Sequence, residues 1–275
     1  MRDRDSPERI GYAGAVILAD PTDVALWSLA ATVAMWWSGT AAVLFAVRAR
    51  SAKRPAFVLG ATILAVCALA LLRALGDRVD LLGAVGSFAC AVVVWGYVEF
   101  LFLTGRVVGP RNASCETECS GWRHAGHALR AILHYEAALV GAALAVAAAS
   151  SGRENQTGLA AFLVLLGLRA SAQLNLFLGV RNLSEEWMPA ELLHLRRFLR
   201  RRAMNPLLPF SVAVASIAAA LLAREALAET SELRIARSAV LASLAALGAL
   251  EHLLLVLPFD PTRLWPDMES GPRSD

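Results

Sequence analysis

The chain has 275 residues, 57% of them hydrophobic and 18% charged, with a mean hydropathy of +0.54. A soluble domain carries about 25% charged residues, so this composition excludes an ordinary globular fold. The net charge of +3 rests on twenty-five arginines and one lysine, Lys53, spread through short connections, and no nucleic-acid-binding module is legible.

Residues 1–22 form a polar N-terminal segment with Arg2, Asp3, Arg4, Asp5, Glu8 and Arg9 around a short apolar stretch at 10–18. It lacks an extended apolar core and a small-residue cleavage site, so the first span is expected to act as the insertion signal. That span covers residues 24–47 without a charge; 55–72 repeats the pattern, and 81–103 breaks it only at Glu99. About 20 apolar residues cross a hydrocarbon core of about 30 Å. Inside lipid the backbone must satisfy its own hydrogen bonds, so such runs must be helices. Four more spans follow at 129–149, 158–180, 206–222 and 238–257. The expected fold is an all-α polytopic bundle of seven transmembrane helices over residues 23–258, with a polar tail at 259–275.

Two spans separate the longer loops, 104–130 and 181–205, which therefore lie on one side of the membrane. Sixteen Arg and Lys residues fall on that side and nine on the other, with Arg169 inside a span. The positive-inside rule then places the N-terminus outside and the C-terminus in the cytoplasm. Within the second loop, residues 189–204 repeat Leu192, Leu195 and Leu199 at helical spacing, with Arg197, Arg200 and Arg201 elsewhere on the helix. This predicts an amphipathic helix lying on the cytoplasmic leaflet, its arginines meeting anionic headgroups. The plainer alternative is a helix packed over loop ends with solvated arginines.

Of the four cysteines, Cys67 and Cys90 lie in spans and read as small core hydrophobes. Cys115 and Cys119 precede His124 and His127 in a C-x3-C-x4-H-x2-H arrangement. The ligand types suit zinc, but the spacing belongs to no common zinc module, and no metal site is expected there. Phosphate loops, nucleophile elbows and HExxH motifs are absent from the sequence.

The polar exceptions inside the spans form the candidate site: Glu99, His134, Glu136, Arg169, Gln173, Asn175, Glu251 and His252. A central charge costs at least ~2.5–3.5 kcal/mol on insertion scales, so each should face protein or water and find a partner. With spans alternating in direction, these residues fall in one layer in the cytoplasmic half. His134 and Glu136 point to nearly opposite faces of one helix, and Glu251 and His252 are about a quarter-turn apart. One ion could therefore gather Glu99, His134 and one of Glu251 or His252, and Arg169 reads as a partner for Glu99 or Glu251. Three uses of the layer stay open. They are structural pairing between helices, a pigment or quinone headgroup site (with His134 or His252 ligating a bacteriochlorophyll magnesium), and a metal or redox centre. Trp36 and Trp37 sit mid-span, where they either pack or line a flat apolar ligand.

Several motifs carry a family resemblance. Residues 94–111, VWGYVEFLFLTGRVVGPR, contain Trp95, Gly105, Gly109, Pro110 and Arg111; residues 168–182, LRASAQLNLFLGVRN, end at Asn182. Together with Trp36–Trp37, LHYE at 133–136, NPLLPFS at 205–211 and LEHLLLVLP at 250–258, they resemble, in order and over nearly the whole chain, the photosynthetic complex assembly protein 2 family (PuhE-type) of anoxygenic phototrophic bacteria. Gln173 stands where that family's pattern has Lys. The resemblance implies an inner-membrane assembly factor for the reaction centre and core light-harvesting complex, acting through bacteriochlorophyll supply or subunit handling. Its implied partners are membrane lipids, photosynthetic subunits and other assembly factors, with bacteriochlorophyll or a precursor as the conceivable cofactor. It brings no catalytic residues, and the leading expectation is non-enzymatic. The alternative is a membrane enzyme acting on a tetrapyrrole, quinone or carotenoid at the Glu/His layer; a small-molecule transporter is a third class.

Overall fold

The computed structural model describes residues 20–49, 54–110, 121–183 and 188–257. Arg111, Cys115 and Cys119 lie outside them, as do the polar tail and nearly all of the N-terminal segment. The described residues form an all-α bundle of seven helices, each long and apolar enough to cross a membrane. The helices are α1 (Pro21–Arg48), α2 (Pro55–Ala74), α3 (Leu81–Leu103), α4 (Gly121–Ser150), α5 (Thr157–Leu178), α6 (Leu207–Ala228) and α7 (Glu232–Leu254). Among these residues there is no strand, only an isolated parallel bridge between Val180 and Arg201.

Local chemistry sets several helix starts. Pro21 and Pro55 open α1 and α2, where a missing N–H costs nothing. The Asp20 carboxylate accepts from the Thr22 amide at 2.8 Å. Asp80 caps α3 through the Gly83 amide at 2.7 Å, and Glu232 of α7 accepts from the Leu81 amide at 2.8 Å. Asn205 takes the amides of Leu207 and Leu208 at 2.9 and 3.1 Å to start α6.

α3 and α7 are the buried pillars: α3 packs on α1, α2, α4, α5 and α7, and α7 packs on α1, α3, α5 and α6. The main core joins α2, α3, α4, α5 and α7 around Phe88, Tyr135, Phe162 and Leu244. Trp95 meets Phe162 edge-on at 5.3 Å. The exposed leucines and isoleucines of α1, α2 and α6 form the surface that lipid would cover.

Three helices outrun the apolar stretches that predict them. α4 begins eight residues before position 129, α6 runs six past 222, and α7 begins six before 238. Hydropathy marks where lipid begins, whereas helix length follows the backbone ladder and its caps, so charged turns continue past the apolar boundary.

The segment at 189–204 is not the continuous surface helix expected. A 3-10 helix spans only Ala190–Phe198, whose threefold period lines up Leu192, Leu195 and Phe198. Those three side chains join the main core, with the helix packed on α4 rather than laid into the leaflet. Beyond it the chain extends because its backbone pairs with the end of α5: Val180 N–H donates to Arg200 O at 3.1 Å and Arg202 N–H to Val180 O at 3.0 Å. Arg197, Arg200 and Arg201 remain exposed, with the Arg200 guanidinium 5.8 Å from the Phe177 ring centre.

Candidate functional site

The site starts with a loop. After α3, Gly105 adopts a positive φ of 75°, and a Cβ there would come within 2.8 Å of Glu191. The turn delivers the Val108 carbonyl to the middle of α4, where it accepts from the amides of His134 and Tyr135, both at 3.1 Å. At Gly109 a Cβ would sit 2.3 Å from the Arg130 carbonyl oxygen, so only glycine lets the loop backbone lie against that helix. This contact pins the stretch of α4 that carries Tyr135.

Tyr135 is fully buried, its ring packed 4.1 Å from that of Phe102. Its hydroxyl donates to Glu99 Oε1 at 2.7 Å and accepts from Arg169 Nε at 3.0 Å. Arg169 Nε lies 3.9 Å from the same carboxylate oxygen, and the guanidinium carbon 5.5 Å from the tyrosine ring centre. α3, α4 and α5 thus contribute an acid, a phenol and a guanidinium to one hydrogen-bonded set.

Glu99 and Arg169 of this set form part of the wall of a cavity of about 410 Å3, lined by α1, α3, α5 and α7, with Tyr135 behind them. Close glycine contacts zip the helices pairwise beside it: Gly39 and Gly96 of α1 and α3 meet Val92 and Val43, and Gly248 of α7 meets Leu168 of α5. The cavity lies between the two pairs. Its walls are mostly apolar, with Trp36, Trp37 and Trp95 as flat surfaces, and Glu99, Arg169 and Glu251 as its ionisable groups. Trp36 and Glu251 line it side by side, the indole near the carboxylate.

The other candidates lie elsewhere. His134 points outward, and Glu136 is half-buried with Oε1 lacking a hydrogen-bond partner among the described residues. His252 is 1% exposed and turned away from the cavity: Nδ1 faces the Gly248 carbonyl at 2.7 Å and Nε2 the Ser171 hydroxyl at 2.9 Å. Ser171 reaches Ser211 at 2.9 Å, and the Asn175 amide donates to the Ser211 hydroxyl at 3.0 Å and the Ser171 carbonyl at 2.9 Å. Asn205 donates to the Asn175 and Gly179 carbonyls at 3.2 and 2.9 Å. His252 and Asn175 therefore belong to a second cluster that ties α5, α6 and α7 together. Gln173 is half-buried and joins neither cluster. Among the described residues no three of His, Cys, Asp and Glu come together as metal ligands, so the combination of Glu99, His134 and Glu251 or His252 is not assembled.

Tyr135 was missed because tyrosine is less conspicuous in a span than the His134 and Glu136 beside it. The signal was present: Ala131, Tyr135, Leu139, Val146 and Ser150 form the buried stripe of α4 at helical spacing. His134 and Glu136 lie on either flank of that stripe. Of the motif residues, Trp36, Trp37 and Trp95 line the cavity, Gly105 and Gly109 shape the loop, and Pro110 is exposed at its end. Asn182 clamps the end of α7, donating from its side chain to the Leu254 and Leu257 carbonyls at 2.7 and 2.6 Å.

The chain is 34% identical over 240 residues, covering 85% of its length and 87% of the relative's, to a protein of Rhodobacter capsulatus described as an uncharacterized 30.4 kDa protein in the puhA 5′ region. No solved structure matches it. A family model described as "Protein of unknown function (DUF3623)" matches residues 23–273, and the chain belongs to that DUF3623 family.

Proposed function

We propose that this protein is an integral-membrane assembly factor for the photosynthetic reaction centre and its core light-harvesting complex, of the PuhE type, with the cavity as its client-binding site. One observation carries the reading: the relative aligned over most of both chains is described by its place beside puhA. The cavity supports it physically, since an apolar chamber with a few converging polar groups is what a site for a hydrophobic ligand needs. In this reading the N-terminus is periplasmic, the C-terminus cytoplasmic, and exposed Arg197, Arg200 and Arg201 face anionic headgroups or a partner.

A bacteriochlorophyll or precursor fits the site only in part. Trp36 and Trp37 offer flat walls, and Glu251 offers an oxygen ligand suited to magnesium. Neither candidate histidine fits as an axial ligand, because His134 lies on the outer surface and both His252 nitrogens are engaged away from the cavity.

Deleting the gene and recording membrane absorbance tests the proposal. Reaction-centre and core-antenna bands should fall and return with the wild-type gene; unchanged bands would overturn it. The hydrogen-bonded Glu99–Tyr135–Arg169 set favours a second reading, a membrane enzyme acting on a tetrapyrrole, quinone or carotenoid. A pigment intermediate accumulating in a Glu251→Gln strain would favour the enzyme, and lowered complexes without one would favour assembly.

A further inference from the structure

The cavity has the polarity profile of a bilayer leaflet. α3 and α7 are 23 residues each, about 35 Å, against a hydrocarbon thickness of about 30 Å. Glu99 lies four residues before the end of α3 and Glu251 three before the end of α7, so both carboxylates sit about 4–6 Å inside those ends, near the headgroup boundary. Val92 and Leu244, on the same two helices, lie about 15 Å in. The two carboxylates thus sit near the boundary, Arg169 reaches toward Glu99 from nine residues inside the end of α5, and the rest of the inner lining is apolar. The exposed part of the lining lies on α1 and α7, where Trp37 is 51% exposed and Thr40, Leu250 and Glu251 are also exposed.

The charges that line the cavity do not balance, although arginines are plentiful in the loops beyond it. Arg169 is engaged by Tyr135 and neighbours Glu99, so one guanidinium stands against two carboxylates. Consecutive spans alternate in direction, so α1, α3, α5 and α7 all end on the same side. The partial negative charge of helix C-termini adds to the excess. Glu251 also sits beside Trp36, with Trp37 at the mouth, and indole faces attract ammonium groups.

We propose that the cavity is a lateral binding site for a cationic amphiphile, an alkyl chain bearing an amine or quaternary ammonium group such as an amine-headed membrane lipid presents. The positive nitrogen sits between Glu251 and the Trp36–Trp37 pair, and the chain runs inward past Val92 and Leu244. This inference stands on the chemistry of the cavity alone, and its binding assay reads out independently of any gene-deletion phenotype.

The test uses the full chain in a neutral maltoside detergent, with tryptophan fluorescence as readout. Dodecyltrimethylammonium, dodecanol, laurate and choline are titrated separately. The alkylammonium should bind saturably and about tenfold tighter than dodecanol, laurate should bind no better than dodecanol, and chainless choline should bind far more weakly. Glu251→Gln should erase the preference for ammonium over dodecanol. Glu229→Gln, which removes a carboxylate paired with Arg234 at the other end of the bundle, should preserve it. Trp37→Ala, at the exposed mouth, should weaken ammonium binding and supplies an arm that does not depend on a buried substitution. Equal affinity for ammonium and alcohol, or a preference that survives Glu251→Gln, would overturn the proposal. Choline binding as tight as the alkylammonium would overturn its amphiphile half and point to a soluble amine.

Discussion

Two polar clusters occupy neighbouring faces of α5 and α7, and they are built on opposite plans. The first, His252–Ser171–Ser211–Asn175–Asn205, has no formally anionic member, its hydrogen bonds run from helix to helix, and none of its side chains lines the cavity. The second, Glu99–Tyr135–Arg169 with Glu251 nearby, is charged and faces open space. The closed cluster directs its hydrogen bonds to holding helices in register, with Asn175 Oδ1 its one buried acceptor lacking a partner among the described residues. An open one keeps capacity and charge for something that enters. Intramembrane polarity alone therefore does not separate a helix tie from a candidate site; bordering a cavity does.

The comparison can be broken from either side. The largest effect is expected from Arg169→Leu, which strands the Glu99 charge and should cost about 3–5 kcal/mol, measured by thermal unfolding in detergent. Adding Glu99→Gln should recover much of that loss, because the two sites share one interaction; absence of recovery would mean packing, not charge, is at stake. His252→Leu removes the centre of the closed cluster and should cost about 1–3 kcal/mol, while the tryptophan response to alkylammonium stays unchanged. Altered binding in that variant would blur the distinction between the clusters.

Tyr135→Phe should cost less, about 1 kcal/mol, since Arg169 and Glu99 stand 3.9 Å apart and can close on each other. The smallest effect belongs to Asp80, outside both clusters. Asp80→Ala should cost about 1 kcal/mol at neutral pH through the lost cap on α3. The Arg78 hydrogen bonds hold the Asp80 carboxyl below the usual carboxylate range. Its ionic contribution is thus present above that range and is lost as pH falls through the lowered value. The wild-type advantage over Asp80→Ala should narrow on acidification, and a gap that widens would contradict the assignment.

Much of the fold was legible in the chain. The charge-free run at 24–47 and the near-identical bounds expected and found for α3 follow from one constraint, that lipid tolerates no unsatisfied backbone. The 189–204 segment was less legible: its leucine spacing is compatible with an α-helix on a membrane, and only the pairing of Val180 with Arg200 and Arg202 shows why the helix stops at Phe198. For the site, the sequence supplied eight polar candidates but not which of them come together. Glu251 and His252 are adjacent in the chain, yet one borders the cavity and the other locks into Ser171.

By itself the sequence determined the number and approximate extent of the spans and where polar residues fall along each of them, because these depend on local composition and rise per residue. Only the tertiary structure decided which polar groups meet. That outcome depends on the rotation of each helix about its own axis, set here by glycine contacts such as Gly248 with Leu168 and by the loop carbonyl of Val108 reaching α4. A quarter-turn separates a cavity-facing carboxylate from a buried helix tie, and hydropathy has no term for it.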